Sequence, residues 1–566
     1  VQGGTNQPPS AIASRRSLSL EPVALLALGL FLGLSVRGIS IKPHGDFYGI
    51  WETGAALLDG ELPASFKRAP LYPLLVAAGG RLLEAAGFKE APAQLAAQWI
   101  NALLLPVNAM LLYWLARALS PPGPAAWAAW WFLLLPVGLY CTTNELVEPL
   151  LIFTVLLTLL CTSRRPRLAY ACAAAAALSR YDAIGLLMGL VLIDLRRRLP
   201  LKAILLRVLP AVTPLALWLL LTALTWPQRG ADHYLTELLE RPRFDPASVL
   251  VTAHRAVSPA DAPRIPLIGA DLQPLVNFLT QAGLVVLAIG GIAIGIAAQG
   301  ALTTVALTFA AVYVLAHAVF PFTFDRFGYP LAPVYLALAA AGAGAAGVPD
   351  AVRRLRHAGF VLAVVVGLLL LLTIGSELDC WRFLAAGRYR WALPLPAAVL
   401  LAAGFLWGLS RSGPTPARVN LLLAAAALAL VQLRSAAAQI AGGAQMENLV
   451  VAARWVRDNL PPDQRVLSAM PGLLRLYAGR KPADRFVGFE QIEASSWPEI
   501  LRECRQRGIR YLIWYEGLFA EVGDYYVQKY RLDRFACLSR PQELERVCPE
   551  RFWPGHPDLW ILRIDP

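Results

Sequence analysis

Hydrophobic positions along this chain fall into long unbroken runs, separated by short segments rich in arginine, proline and aromatic residues. A run of roughly 20 apolar residues is what an α-helix needs to cross a bilayer. On that measure the pattern predicts spans near 18–36, 95–117, 124–141, 145–162, 203–225, 275–298, 300–320, 328–347, 358–376, 391–410 and 419–438. Residues 168–195 are too long for one straight helix and carry Ser179, Arg180, Tyr181 and Asp182 at their middle. Bare charge in lipid is costly, so two short helices joined by a polar elbow fit this stretch better. The expectation is a polytopic helical membrane protein with about thirteen crossings.

After about residue 440 the pattern changes. Strand-like runs at 465–470, 509–515 and 559–565 alternate with helix patterns at 447–459, before Pro461 and Pro462, and at 497–507, before Gly508. This predicts a small α/β domain over 440–566. No glycine-rich phosphate loop or catalytic triad is visible in it.

Composition agrees with the pattern: 57% of the 566 residues are hydrophobic and 16% are charged, against about 25% charged in an average soluble domain. A single soluble globule is excluded. The net charge of +13 comes from 51 basic against 38 acidic residues. The basic residues gather between apolar runs: Arg15 and Arg16, Arg164, Arg165 and Arg167, Arg196 to Arg198 with Lys202, Arg353, Arg354 and Arg356, then Arg411 and Arg418. Under the positive-inside rule these are cytoplasmic anchors, and no nucleic acid need be invoked. The expected order is then a cytoplasmic tail over 1–17, a retained first span, a membrane region over 18–439 with outside loops at 37–94 and 226–274, and an outside C-terminal domain. Seven cysteines show no CxxC spacing and six histidines no HxxxH pair, so neither a zinc cluster nor a redox motif is supported. Cys537 and Cys548 could pair if their region lies outside the cytoplasm.

Candidate chemistry lies at the expected outer ends of the spans. In the first loop, Asp46, Tyr48 and Glu52 lie in a stretch over about 47–58 that suits an interfacial helix stopped by Gly60, and Arg68-Ala-Pro70-Leu-Tyr72-Pro73 follows. Asp46 either caps that helix, with Lys67 and Arg68 touching lipid headgroups, or faces a cavity as a base. A second acidic site, Thr142-Thr143-Asn144-Glu145 with Glu148, puts one acid about a turn into an apolar helix. Such acids are functional candidates by default, the alternatives being a solvated Glu145 and a Glu148 paired with an arginine such as Arg180. A third site is Asp325-Arg326-Phe327-Gly328-Tyr329-Pro330, with His317 shortly before it. A guanidinium stays charged at low dielectric and offers planar paired donors, which suits a phosphate; Asp325 would orient or neutralise it. His317 reads as a buried hydrogen-bonding histidine rather than a metal ligand.

Taken in order, Asp46 with Tyr48, Arg68-Ala-Pro70-Leu-Tyr72-Pro73, Glu145/Glu148, Leu178-Ser179-Arg180-Tyr181 and Asp325-Arg326-Phe327-Gly328-Tyr329-Pro330 resemble the GT-C class of polyprenyl-phosphate-sugar-dependent glycosyltransferases. Specifically, they are similar to bacterial relatives of protein O-mannosyltransferases and of the enzyme that adds aminoarabinose to lipid A. The resemblance covers roughly residues 18–340, with the tail similar to the extracytoplasmic domain that often follows. It implies a multi-pass protein of the bacterial plasma membrane, with its active site outside. A mannose- or pentose-type sugar would pass from a polyprenyl-phosphate donor to a hydroxyl or amine of a glycan, lipid or protein acceptor, with inversion. By the same resemblance Asp46 is the general base, and Arg326, with Arg68 or Arg180, binds the donor phosphate. Glu145 and Glu148 orient the acceptor or hold a divalent cation, Mg or Mn, and Tyr48, Tyr72, Asp325 and Tyr329 line the substrate site. One departure is Phe47, where protein mannosyltransferases carry the second residue of an Asp-Glu pair; this weakens a protein acceptor. A transporter or flippase of a lipid-linked substrate is the alternative, since charges near helix ends would also line such a path, although transporters usually show paired repeats and charge near the midplane.

Overall fold

In the computed structural model, residues 20–36, 45–229 except 64 and 65, 273–297, 300–318, 325–345 and most of 447–564 are described, the longest breaks in the last part being 519–531 and 549–558. The helices are α1 (Leu20–Val36), α2 (Gly45–Leu58), α3 (Leu71–Ala85), α4 (Pro92–Leu119), α5 (Pro122–Leu133), α6 (Pro136–Thr143), α7 (Glu148–Cys161), α8 (Pro166–Ser179), α9 (Ile184–Arg196), α10 (Leu201–Arg229), α11 (Gln273–Ala297), α12 (Ala301–Ala318) and α13 (Ala332–Ala345). Among the described residues three helices are long and apolar enough to cross a membrane, or four if the bent pair of α5 and α6 is one span. The spans expected at 358–376, 391–410 and 419–438 lie outside the described residues, as do most of the 226–274 loop and Cys537.

The elbow expected within 168–195 is present. Helix α8 ends at Ser179, Arg180 is extended (φ −151°, ψ 132°), and a 3-10 turn over Tyr181–Ala183 leads into α9. The break turns Arg180 and Asp182 toward partners inside the protein, which relieves the cost of charge in an apolar setting. Within 37–94, expected as a loop with one interfacial helix, a second helix forms, α3. Pro70 and Pro73 frame its first turn, where the missing N–H groups have no intrahelical acceptor to lose. Helix α2 lies directly on it. A Cβ at Gly54 would stand 2.0 Å from the carbonyl oxygen of Pro73, so only glycine permits this approach. The turn after α2 has Gly60 at φ +74°, a left-handed conformation that glycine adopts without strain.

Elsewhere helices also meet through glycines. Cβ atoms at Gly291 of α11 and Gly342 of α13 would each lie 2.0 Å from a carbonyl oxygen of the other helix, Leu338 and Leu287 respectively. Lipid tails are as apolar as leucine, so helices in a bilayer associate through such close packing of small residues.

The C-terminal part contains α14 (Glu447–Asn459), β1 (Arg465–Ser468), α15 (Pro471–Ala478), β2 (Phe486–Gly488), α16 (Trp497–Gln506), β3 (Ile509–Tyr515), α17 (Asp533–Ala536), β4 (Glu545–Arg546) and β5 (Leu559–Arg563). The helices and strands read from the sequence at 447–459, 465–470, 497–507, 509–515 and 559–565 fall on α14, β1, α16, β3 and β5. The sheet order is β2-β1-β3-β5-β4, with β1 parallel to β2 and β3, and β5 antiparallel to β3 and β4. Helices α15 and α16 make the crossovers that parallel neighbours require. Helix α14 buries Leu449, Val450, Ala453 and Val456, the i, i+1, i+4, i+7 spacing of an amphipathic stripe. Burial pushes the Cys504 thiol up to about 12, so it packs as a small apolar group; Cys548 is also a buried free thiol.

These elements do not form a separate core. Phe47 and Ile50 of α2, Tyr72 and Val76 of α3 and Leu150 of α7 belong to the same apolar cluster as Leu449, Leu473, Leu474 and Tyr477.

Candidate active site

Three segments distant in sequence meet around Asp46. The residue lies in the first turn of α2, and its carboxylate reaches two arginines. Oδ1 accepts a hydrogen bond from Arg68 Nη2 at 2.5 Å and Oδ2 accepts one from Arg326 Nη2 at 2.5 Å. Arg68 follows α2 by a short loop, whereas Arg326 lies 280 residues away, in the 3-10 turn Asp325–Leu331 that opens α13. The side chains of Asp46 and Arg326 are 21% and 11% exposed, and that of Arg68 34%, so the cluster is sheltered but reachable. One carboxylate between two guanidinium groups leaves a net charge of +1.

A second cluster is closed. Arg180 Nη1 donates to Glu148 Oε1 at 3.0 Å, Nη2 donates to Asp182 Oδ2 at 2.8 Å, and His317 Nε2 lies 2.9 Å from the same oxygen. Its guanidinium also sits 5.4 Å from the centre of the Phe327 ring and 5.9 Å from that of Tyr313, within cation–π range. Arg180, expected at the donor phosphate, is therefore shared between the buried carboxylate of Glu148 and the partly buried one of Asp182. Glu148 is 1% exposed and occupies the first position of α7 rather than a full turn inside it. There the positive end of the helix dipole favours a carboxylate. The pairing of Glu148 with Arg180 weighed from the sequence is the one the fold adopts, and His317 is a buried hydrogen-bonding histidine.

Glu145 departs furthest from a solvated interface residue. It is fully buried and has φ +53°, a conformation costly for a residue with a side chain and held only where the surroundings over-determine it. Those surroundings come from α4. Gln98 Nε2 and Gln94 Nε2 donate to Glu145 Oε1 at 2.7 and 3.1 Å. Asn101 Nδ2 donates to the Leu146 carbonyl at 2.9 Å, and the Tyr72 hydroxyl donates to the Glu145 carbonyl at 3.1 Å.

Two of the tyrosines expected to line the substrate site are fully buried and perform packing instead. Tyr72 holds the Glu145 backbone, and Tyr329 stacks on Phe132 with ring centres 5.5 Å apart. Tyr48 is half-buried against α15, and Asp325 begins the turn that presents Arg326. Sequence reading passed over Gln94, Gln98 and Asn101. Their signal was present: with Asn108 they form a polar stripe at helical spacing inside an otherwise apolar helix, a pattern that marks interhelical hydrogen bonding in membranes. Among the described residues no group of three or more His, Cys, Asp or Glu side chains gathers as metal ligands would.

No protein-family model matches the chain, and no curated protein matches it by sequence. The fold does have known counterparts. The structure of ArnT from Cupriavidus metallidurans bound to undecaprenyl phosphate superposes with a TM-score of 0.58 over 96% of this chain and 98% of that one, at 15% identity. Its apo form gives 0.57 over 96% and 97%, at 16% identity. This is a GT-C fold. The likeness runs from the membrane helices through the C-terminal part, since nearly the whole length of both chains is covered. The archaeal oligosaccharyltransferase AglB from Archaeoglobus fulgidus, in complex with an inhibitory peptide and a dolichol-phosphate, superposes more loosely, with a TM-score of 0.43 over 87% of this chain and 69% of that one, at 13% identity.

Proposed function

We propose that the protein is a membrane glycosyltransferase that moves a sugar from a polyprenyl-phosphate donor to an acceptor hydroxyl or amine with inversion. The observation that carries this reading is the clasp in which Asp46 bridges Arg68 and Arg326. A donor phosphodiester brings one negative charge, which neutralises the clasp. It also supplies oxygens that take the two guanidinium groups from Asp46. The carboxylate is then freed beside the reacting carbon, where it accepts the acceptor's proton. The acceptor oxygen or nitrogen forms a bond to the anomeric carbon from the face opposite the phosphate. The bond from that carbon to the phosphate oxygen breaks with its electrons, and Arg68 and Arg326 stabilise the charge that develops there. Support at the level of the fold comes from ArnT, whose structure holds undecaprenyl phosphate.

Arg180 has no part in phosphate binding in this scheme, because its charge is already met by Glu148 and Asp182. Glu145, buried beneath the turn ahead of α7, shapes the acceptor side by anchoring that turn to α4, and Glu148 braces the α7 end of the site. The site and C-terminal part face outward from the plasma membrane, a reading supported by the basic clusters that would then all lie inside. The transferred sugar is of the mannose or pentose type.

The test is transfer of radiolabelled sugar from synthetic undecaprenyl-phosphate mannose or arabinose by the purified protein. Asp46→Asn should lower turnover by about 10²–10⁴-fold, the range for loss of a general base. It should bind donor at least as tightly as the wild type, because the carboxylate that competes for the arginines is gone. Arg326→Gln should weaken donor binding. No turnover with either donor, together with movement of donor across vesicles, would replace this reading with that of a flippase.

A further inference from the structure

The C-terminal part rests on the segment that carries the clasp. Arg475 of α15 pairs with Glu52 of α2 at 3.2 Å, and Arg454 of α14 pairs with Glu90 just ahead of α4. Tyr48 packs over Gly472, where a Cβ would stand 3.0 Å from its Cγ. One contact reaches further in. Tyr477, near the end of α15, donates its hydroxyl to Gln94 Oε1 at 2.9 Å, and the same amide donates through Nε2 to Glu145 Oε1 at 3.1 Å. All three side chains are buried.

An amide group has an accepting end and a donating end of nearly equal shape, and its hydrogen-bond partners decide which way it faces. The Glu145 carboxylate only accepts, so Gln94 presents N–H to it and turns its carbonyl to Tyr477, whose hydroxyl donates there and holds the amide in place. Turned over, it would set a carbonyl oxygen against a carboxylate in a buried site, where unmet acceptors are costly. The backbone here is already held by Tyr72, which donates to the Glu145 carbonyl, and by Asn101, which donates to that of Leu146. What remains to be set is the direction of the Glu145 carboxylate, and Gln94 and Gln98 set it.

We propose that Tyr477 is a positioning residue for Glu145, acting through Gln94, so that the docked C-terminal part sets the acceptor side of the site. Its consequence for turnover rests on the glycosyltransferase reading; the coupling between Tyr477 and Glu145 does not.

Two mutant cycles on the full-length protein test it. Tyr477→Phe keeps the ring and removes the hydroxyl. It should lower kcat for transfer about tenfold, equivalent to about 1.4 kcal/mol, with donor KM changed by less than about twofold. In a Glu145→Gln background the same substitution should add no further loss, because residues acting in one network are non-additive. Equal fold losses in both backgrounds would overturn the proposal, as would a loss confined to donor KM. The second cycle reads thermal midpoints in detergent without any donor, for wild type, Tyr477→Phe, Glu145→Gln and the double variant. Midpoint shifts that fall short of additivity support the relay. Additive shifts overturn it, whether or not the protein transfers sugar.

Discussion

Asp46 has two claims on it, and which one prevails depends on what else is bound. Alone it offsets one of the two positive charges of Arg68 and Arg326; in the proposed scheme a donor phosphate gives those arginines a second anion to meet, and the carboxylate regains its lone pairs. The same residue type has a different role at Glu148, which is shut in with Arg180 and is 1% exposed. Removing one member of a buried ion pair leaves the other uncompensated, at a cost of about 3–5 kcal/mol. Arg180→Gln should therefore lower the thermal midpoint in detergent sharply, and a second change, Glu148→Gln, should recover part of the loss. Had Arg180 been a phosphate ligand, its substitution would instead raise donor KM and leave the midpoint near that of wild type.

Among the elements, close helix contacts do what apolar burial cannot do inside a bilayer. The pair α11 and α13 approach through Gly291 and Gly342, each facing a carbonyl of the other helix. Gly342→Leu must force these helices apart, and α13 is the helix opened by the turn that carries Arg326. The expected outcome is a donor-binding defect along with a lower thermal midpoint, while Gly283→Ala on α11, where a Cβ meets nothing within 4 Å, should leave both near wild type. Helix α4 makes the complementary point. Its stripe of Gln94, Gln98, Asn101 and Asn108 is buried in an apolar helix, and each of these side chains bonds the segment from Cys141 to Pro149.

At the scale of the whole molecule, the apolar cluster shared by α2, α3, α14, α15 and the sheet makes the C-terminal part a cover for the site-bearing helices. An independent tail could be removed without harm to the rest. Here, deletion of 447–566 would expose Phe47, Ile50 and Val76, which are 0%, 3% and 0% exposed in the intact protein. The truncated protein should lose donor hydrolysis and transfer together and should aggregate on size-exclusion chromatography in detergent. Retention of donor hydrolysis with loss of transfer alone would instead mark the tail as a separable acceptor-binding module.

The sequence by itself determined the helical, apolar character of the described region before residue 346, the strands and helices read in the C-terminal part, the elbow between α8 and α9 and the segments that hold the charged clusters, because each of these follows from local periodicity, chain breakers and the cost of charge among apolar residues. It also carried the residues of the clasp, Asp46, Arg68 and Arg326, as separate candidates. Only the tertiary structure decided that Asp46 joins both arginines, since that contact closes over 280 residues and no local pattern encodes it. The same holds for Arg180, whose charge could have served a phosphate or a neighbouring acid until the turn after α8 brought it to Glu148 and Asp182. Tyr72, Tyr329 and Glu145 lie at the expected outer ends of spans, where the two tyrosines suit a substrate lining and Glu145 a functional or solvated acid. The packing of α3, α4 and the turn before α13 buried them, because burial depends on which helices meet and the chain's own sequence of polar and apolar residues does not state that.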